Sequence, residues 1–277
     1  MQVKKYSGEL VPFDEEKLRI SLKRTGANEN IIQKIISRAK EDLIDGKTTK
    51  QIYSEAFKIL KQLSRASAAR YHLKQSVMQL GPSGFPFEKY VGEIFKYQDF
   101  KVKTNLTING KCVSHEVDVL AEKNHRVFIT ECKFHNRQGL KSDIKIAMYF
   151  NSRVIDIVEG NKHLPPFKGK EITGMLATNT RFTSDAIKYC KCENIALISW
   201  DYPEHGSLKD RIEISGLYPV TCITSLKRRE KQVLLDEGVV LGKTLKERPE
   251  LLNKFNFSNY RLKNIKQELY ELCFQTA

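Results

Sequence analysis

The chain has 277 residues, of which 40% are hydrophobic and 29% charged, and its formal net charge at pH 7 is +14. This composition is typical of a folded globular protein, and it contains no apolar run of the roughly 18 residues that a membrane-spanning helix needs. The basic excess favours a polyanionic partner, whose binding should weaken as the salt concentration rises.

The start of the chain and its cysteines predict a cytoplasmic protein without a membrane partner. Residues 1–8 lack the apolar core of a signal peptide. The six cysteines form no Cys-x-x-Cys pair, so we expect reduced thiols rather than a zinc site. The basic excess is smallest in residues 81–220, and the flanking segments are expected to supply much of the attraction for anions.

Breaks in the pattern divide the chain into three predicted domains, residues 1–82, 83–220 and 221–277. The first break is the Gly/Pro-rich stretch around residues 81–84, which follows a helical pattern. The first domain opens with a predicted β-hairpin that turns at Ser7-Gly8, and Asp14 then has the position of a helix N-cap. About four helices follow, the last over residues 67–80.

The first domain carries an ordered set of motifs: Val3-x-Lys5 with Gly8, Pro12-Phe13-Asp14 with Lys17, and Gly46-x-Thr48-Thr49-x-x-Ile52. This set resembles the ATP-cone, a regulatory nucleotide-binding domain. The resemblance implies that an adenine nucleotide contacts Val3, Lys4, Lys5, Lys17 and Thr49. ATP or dATP would act as an effector rather than as fuel, because the sequence has no Gly-x-x-x-x-Gly-Lys-Ser/Thr loop. From charge alone, a solvated basic face is the alternative.

The sequence pattern of the second domain predicts an α/β (α+β) fold, in which helices flank a mixed sheet. Its predicted elements are a helix over residues 85–95, strands over 100–106, 113–120 and 127–133, a helix over 140–153, a strand over 172–178, a helix over 183–190 and a strand over 195–199. Antiparallel strands therefore come first, and a β-α-β segment follows.

Residues 116–133 carry the pattern with the most chemical meaning. Side chains two apart on a strand share a face, so Glu131 and Lys133 should lie together, with Cys132 pointing away. A hairpin would bring Asp118 alongside them. Two carboxylates that can hold a hard divalent cation, next to a lysine that can position water, are the groups that metal-assisted phosphodiester hydrolysis requires.

Four motifs occur along this order of elements: Phe87-Glu88-x-x-Val91, Glu116-Val117-Asp118, Glu131-Cys132-Lys133 and Thr180-Arg181-Phe182-Thr183-x-x-Ala186. The order and the motifs together resemble the Mrr-like branch of the PD-(D/E)xK restriction-endonuclease-like nucleases. Asp118, Glu131 and the Cys132 carbonyl would hold Mg²⁺ or Mn²⁺. Lys133 would orient the attacking water, and the resemblance implies that Glu88 completes the metal shell.

Several alternatives remain open around this motif. The acids and Lys133 could form an ion pair on an inert sheet. His115 and His135 flank the motif, and a surface or hydrogen-bonding role is favoured for them over a DNA contact. Tyr149 and Arg153 could reach the phosphate or could serve packing and surface charge.

The sequence of the third domain predicts two short helices around a bend at Gly238 and Gly242. This pair of helices resembles a DNA-binding helix-hairpin-helix element. Its phosphate contacts would be Lys227, Arg228, Arg229, Lys231 and Lys243. A solvated helical extension or an oligomer contact is the alternative.

Together these patterns predict a metal-dependent DNA endonuclease regulated by ATP or dATP, with restriction or defence as its family-level role. Because ATP-cones mediate assembly, a homo-oligomer is expected. The main alternative is a catalytically inactive, nucleotide-sensing DNA-binding regulator. A nuclease whose cone no longer binds nucleotide is a third interpretation.

Overall fold

A computed structural model describes residues 2–4, 9–44 and 48–273. The chain divides into two compact units, one of residues 1–73, 222–231 and 245–277 and the other of residues 74–221 and 232–244. The three sequence domains remain a prediction. Among the described helices, none has both the length and the apolar character needed to cross a membrane.

The first unit begins with two short strands and four helices. Strands β1 (Gln2–Lys4) and β2 (Leu10–Pro12) pair antiparallel, with Val3 opposite Val11. They are followed by α1 (Glu15–Lys23), α2 (Glu29–Ile44), α3 (Thr49–Leu63) and α4 (Arg65–Tyr71). Both predicted strands are present, while the turn at Ser7-Gly8 lies outside the described residues.

Side chains just before α1 and α3 fix where these helices begin. The carboxylate of Asp14 accepts the Lys17 backbone N–H at 3.0 Å. Thr48 and Gln51 form a reciprocal capping box at the start of α3. Both caps satisfy N–H groups that have no partner within the helix. The helices then bury one apolar core, which includes Leu22, Ile32, Ile35, Ile36 and Leu60.

The second unit is built on a sheet. Its helices are α5 (Leu73–Val77, which leads into the unit), α6 (Phe85–Tyr97), α7 (Ile144–Asn161), α8 (Ser184–Cys192) and α9 (Leu208–Ser215). Its strands are β3 (Lys101–Asn109), β4 (Ser114–Lys123), β5 (Arg126–Lys133), β6 (Lys141–Ser142), β7 (Glu171–Thr178), β8 (Arg181–Phe182) and β9 (Ala196–Ile198).

Five of these strands form a mixed sheet in the order β3-β4-β5-β7-β9. The first three are antiparallel neighbours, while β5, β7 and β9 run parallel. Strands β6 and β8 form a separate two-stranded parallel ribbon. The mixed α/β fold class predicted from the sequence is confirmed.

Helices cover both faces of this sheet. Ile129 of β5 and Leu176 of β7 pack with Phe150 of α7 in one buried cluster. On the opposite face, the ring of Phe128 lies 5.6 Å from that of Phe95 on α6. Gly174 of β7 permits the close approach of α7, because a Cβ atom there would lie 3.2 Å from Phe150.

Two predicted helices differ from the observed ones. The helix expected over residues 140–153 is α7, which begins at Ile144 because the carboxylate of Asp143 caps it by accepting the Lys145 and Ile146 N–H groups. The helix expected over residues 67–80 is divided into α4 and α5, with His72 as the C-cap of α4.

The C-terminal region is helical, as predicted, and contains α10 (Arg228–Asp236), α11 (Gly242–Glu247) and α12 (Asn259–Leu272). Glu268 of α12 is almost fully buried within the first unit. Its carboxylate accepts the backbone N–H groups of Thr224 at 2.6 Å and Ser225 at 2.9 Å. The Arg70 guanidinium of α4 donates to the Glu271 carbonyl at 2.8 Å and thus joins α4 to α12.

Candidate functional site

The pairing of β4 with β5 brings the predicted acids together. Val119 lies opposite Thr130, and Asp118 and Glu131 are the next residues along each strand. Glu131 and Lys133 are two residues apart on β5 and share one face of the sheet. This is the α7 side of the sheet, because Ile129 also points to it. Asp118 lies one residue beyond the last position at which β4 pairs with β5, close enough to Glu131 for their charges to interact.

Asp118 is half-buried beside the next strand. Its Oδ2 accepts the Cys132 backbone N–H at 2.7 Å. Burial and the charge of Glu131 raise the pKa of Asp118 to about 6, although the Cys132 hydrogen bond acts in the opposite direction. Its other oxygen, Oδ1, does not take part in this hydrogen bond and is available to bind a metal ion.

Two cations surround the carboxylate of Glu131, whose side chain is 15% exposed. The Arg153 Nη1 atom lies 2.6 Å from Oε2, and the Lys133 Nζ atom lies 3.7 Å from Oε1. Arg153 also donates through Nη2 to the Glu116 backbone carbonyl. Of the two roles considered for Arg153, a free surface charge is therefore wrong, because the guanidinium is held at the motif.

Glu88 approaches the same carboxylates from the first turn of α6. Burial raises its pKa to about 7, and the charges of Asp118, Glu116 and Glu131 add to this effect. Gly84 leaves room for the carboxylate, since a Cβ atom there would lie 2.7 Å from Glu88 Oε1. We call these four carboxylates, Glu88, Glu116, Asp118 and Glu131, the acid cluster.

The donor set of the acid cluster fits a hard divalent cation. Carboxylate and carbonyl oxygens are the ligands that Mg²⁺ and Mn²⁺ prefer, and the like charges that raise the two pKa values would be relieved by a cation. Among the described residues, however, no three His, Cys, Asp or Glu side chains converge as a ready-made cage. The Cys132 thiol is buried and its pKa is raised well above the usual value by burial, so this residue offers its carbonyl rather than its sulfur.

A buried polar segment that the sequence analysis missed supports the end of β5. Thr178 Oγ1 donates to the Lys133 carbonyl at 2.7 Å. Asn179 is fully buried, and its amide accepts the His135 N–H at 2.8 Å and donates to the His135 carbonyl at 2.9 Å. The polar run Thr178-Asn179-Thr180 at the end of an apolar strand is the sequence signal that could have revealed it.

Both histidines that flank the motif make side-chain hydrogen bonds. His115 Nε2 lies 2.7 Å from Asp156 Oδ2, and Asp156 also accepts the backbone N–H of Cys112. The His115 hydrogen bond is the main cause that lowers the pKa of Asp156 to about 2. His135 Nε2 lies 2.9 Å from Ser142 Oγ, and burial lowers the pKa of His135. These contacts agree with the hydrogen-bonding role favoured from the sequence.

The residues expected to bind nucleotide lie partly around one cavity in the first unit. The cavity has a volume of about 260 Å³, and its lining includes Val3, Lys17, Thr49, Tyr53 and Tyr71. The rings of Tyr53 and Tyr71 stack with their centroids 4.7 Å apart.

The two remaining lysines of this set have different outcomes. Lys4 is exposed and does not line the cavity. Its backbone forms a β-bridge with Thr48. Lys5 lies outside the described residues. The structure thus brings three of the five predicted residues to the cavity.

The helical pair α10 and α11 uses its loop amides internally. The N–H groups of Gly238, Val239 and Gly242 donate to the carbonyls of Leu235, Leu234 and Tyr218, respectively. Lys231 is half-buried, and burial lowers its pKa. By contrast, Lys227, Arg228, Arg229 and Lys243 are exposed, and their role as phosphate contacts stays a prediction.

Comparison with known proteins gives related chains without an assigned activity. Residues 218–273 match the family model described as AF1548-like, C-terminal. Over 152 residues the chain is 36% identical to an uncharacterized protein of Archaeoglobus fulgidus, covering 55% of this chain and 79% of that protein.

Two solved structures match parts of this chain. The crystal structure of AF1548, a protein of unknown function, is similar with a TM-score of 0.56 and 29% identity, over 69% of this chain and 98% of that one. MspJI restriction endonuclease, in complex with a 27-mer oligonucleotide, has a TM-score of only 0.34 and 12% identity, over 62% of this chain and 36% of that one. On the identity and coverage of the archaeal relative, the chain belongs to the same family as the uncharacterized Archaeoglobus fulgidus protein.

Proposed function

We propose that the chain is a metal-dependent endonuclease that hydrolyses phosphodiester bonds in DNA. The observation that carries this proposal is the assembly of Glu88, Asp118 and Glu131 with Lys133 at one end of the β4–β5 pair. The net charge of +14 supports DNA as the substrate, because a strongly basic protein attracts a polyanion. The Mrr-like resemblance is part of the same proposal.

Each residue of this group has a role that its position supports. Asp118, Glu131 and the Cys132 carbonyl would hold Mg²⁺ or Mn²⁺, with Glu88 completing the shell. The bound ion would supply a more acidic water and offset negative charge on the scissile phosphate. Lys133, whose side chain is 45% exposed, would orient that water and contact the phosphate. Thr178 would keep Lys133 in place through its carbonyl.

A plasmid-nicking assay with Mg²⁺ or Mn²⁺ tests the catalytic proposal. Lys133→Met should lower the nicking rate by at least about a hundredfold, the range typical of a group that acts in proton transfer or charge stabilisation. Lys101→Met is the matched control, since Lys101 is an exposed lysine at the start of the edge strand β3. Failure of the wild-type chain to nick DNA with either ion would refute the proposal.

We propose that ATP or dATP bound in the first unit regulates this activity. The cavity lined by Val3, Lys17 and Thr49 supports this proposal, because it combines an apolar interior with a lysine and a helix N-terminus. Calorimetry should detect ATP or dATP binding that is weakened in Lys17→Met and retained in Lys23→Met, an exposed lysine at the end of α1. No heat with either nucleotide would favour a nuclease without a working cone.

A catalytically inactive, nucleotide-sensing DNA-binding regulator is the second candidate. It is favoured by the contacts of Glu131, whose two oxygens face Arg153 and Lys133. DNA binding that persists without cleavage under every metal and nucleotide condition would support the regulator and exclude the nuclease.

The wider role follows from the resemblances rather than from the site. We propose a cytoplasmic restriction or defence function and a homo-oligomer whose size changes with the nucleotide. Light scattering with and without ATP would measure that change, and an unchanged molar mass would exclude nucleotide-driven assembly.

A further inference from the structure

Arg153 is bound to one carboxylate of the acid cluster. Its Nη1 atom lies 2.6 Å from Glu131 Oε2, and both side chains are largely buried, at 13% and 15% exposure. Such a charge-assisted hydrogen bond between a guanidinium and a carboxylate is strong when water is largely excluded. Arg153 therefore supplies the positive charge closest to Glu131.

Two further contacts hold the guanidinium in this position. Nη2 donates to the Glu116 backbone carbonyl, and the guanidinium carbon lies 5.6 Å from the centre of the Tyr149 ring. Lys133 is a looser neighbour, because its Nζ atom is 3.7 Å from Glu131 and its side chain is 45% exposed. Arg153, rather than Lys133, thus determines where the Glu131 carboxylate lies.

Arg153 engages one carboxylate of the acid cluster, and the other carboxylates lie near it. Glu88 and Asp118 are close enough to Glu131 for its charge to raise both pKa values. Nevertheless, within the described chain no three such side chains form a ligand cage. A carboxylate bound to a guanidinium through one oxygen cannot offer that oxygen to a metal ion at the same time.

We propose that Arg153 is an internal counter-ion that competes with a divalent cation for Glu131. Without the cation, Arg153 neutralises Glu131. When the cation binds, Glu131 exchanges the guanidinium for the metal. This inference rests on the proposed metal centre and makes Arg153 a positioning residue within it.

Mn²⁺ binding to the full-length chain tests this competition without measuring cleavage. Free Mn²⁺ is counted by electron paramagnetic resonance for the wild type, Arg153→Met and the control Arg181→Met. Arg181 is an exposed arginine with its own carboxylate partner, since its Nε lies 2.7 Å from Asp201 Oδ2. Removing a unit charge roughly 5 Å from a divalent ion should tighten Mn²⁺ binding by about tenfold or more, even at the dielectric constant of water.

A second measurement follows the metal-free protein. In EDTA, Arg153→Met should melt at a lower temperature than the wild type, because Glu131 loses its counter-ion in a largely buried site. Adding Glu131→Gln to Arg153→Met should recover part of that loss. If Arg153→Met fails to fold, Arg153→Gln replaces it, since this variant removes the charge and keeps a polar side chain.

The outcomes separate this inference from the proposed nuclease function. Mn²⁺ binding that is tighter in Arg153→Met and unchanged in Arg181→Met supports the competition, whether or not the chain cleaves DNA. Equal or weaker Mn²⁺ binding in Arg153→Met, with a wild type that binds the ion, overturns the competition alone. Absence of Mn²⁺ binding in every form overturns both the competition and the metal centre.

Discussion

Replacement of Asn179 by alanine tests how the end of β5 is held in place. The Asn179 side chain is fully buried and bonds both backbone groups of His135, accepting its N–H at 2.8 Å and donating to its carbonyl at 2.9 Å. Asn179→Ala removes both partners at once. His135 lies two residues after Lys133, so the change acts on the segment that positions the proposed catalytic lysine.

The structure sets the expected magnitude. A buried backbone group left without a hydrogen-bond partner costs about 1–3 kcal/mol, and the substitution leaves the N–H and the carbonyl of His135 without their Asn179 partner. Because His135 is only half-buried, water can reach part of this site and reduce the cost. We therefore expect the free energy of unfolding of the second unit to fall by about 2–3 kcal/mol.

Urea unfolding followed by the fluorescence of Trp200 measures this loss. Trp200 is the single tryptophan of the chain, and its backbone N–H donates to the Thr180 carbonyl at 3.0 Å, next to Asn179. The control is Gln138→Ala, an exposed residue in the loop after His135, which should change the stability by no more than about 0.5 kcal/mol. A loss below about 1 kcal/mol for Asn179→Ala would refute the reasoning.

Two further changes probe the first unit. Glu268→Ala should lower the free energy of unfolding by about 2–4 kcal/mol, because the N–H groups of Thr224 and Ser225 lose their shared acceptor. The control Glu271→Ala changes an exposed position and should have little effect on this free energy. Burial lowers the pKa of His72 to about 4 from its usual 6.5, so the unfolded chain takes up a proton first as the pH falls. Stability should therefore decrease from pH 6.5 towards pH 4, by about 1–2 kcal/mol once partial exposure is taken into account.

Urea titrations between pH 5 and pH 7 measure the second effect. His72→Gln should reduce the slope of stability against pH, since the titrating ring is gone. An equal slope in the variant and the wild type would exclude His72 as the source. For Glu268, a loss no larger than that of Glu271→Ala would show that its buried hydrogen bonds contribute little.

The sheet and the proposed catalytic group could be predicted because their signals are local. Alternation along residues 127–133 predicts a strand, and the observed strand β5 runs from Arg126 to Lys133. The same two-residue period places Glu131 and Lys133 on one face. The step from Asp118 to Glu131 crosses a single hairpin, so the pairing of β4 with β5 needs no long-range information.

The supporting contacts could not be predicted because they join distant parts of the chain. Asn179 contacts a residue 44 positions earlier, and Arg153 reaches Glu131 across 22 positions. These contacts depend on how closely α7 and β7 pack against β5, and periodicity alone does not specify that distance. The break between α4 and α5 at His72 was missed for a similar reason, since an apolar helical pattern continues through it.

Helix α7 is fastened at both of its ends. The Asp143 carboxylate caps its start. Near its other end, Asn161 Nδ2 donates to the Asn109 carbonyl at 2.6 Å. The helix also approaches Gly110 closely there, since a Cβ atom added at Gly160 would lie 2.6 Å from the Gly110 backbone. Such a helix cannot slide or turn to absorb a change in length. Each residue advances the direction of a side chain by about 100°, so deletion of a single residue between Asp143 and Arg153 would turn the guanidinium away from Glu131. Insertions and deletions should therefore be tolerated in the exposed loops on either side of α7, and not within its first three turns.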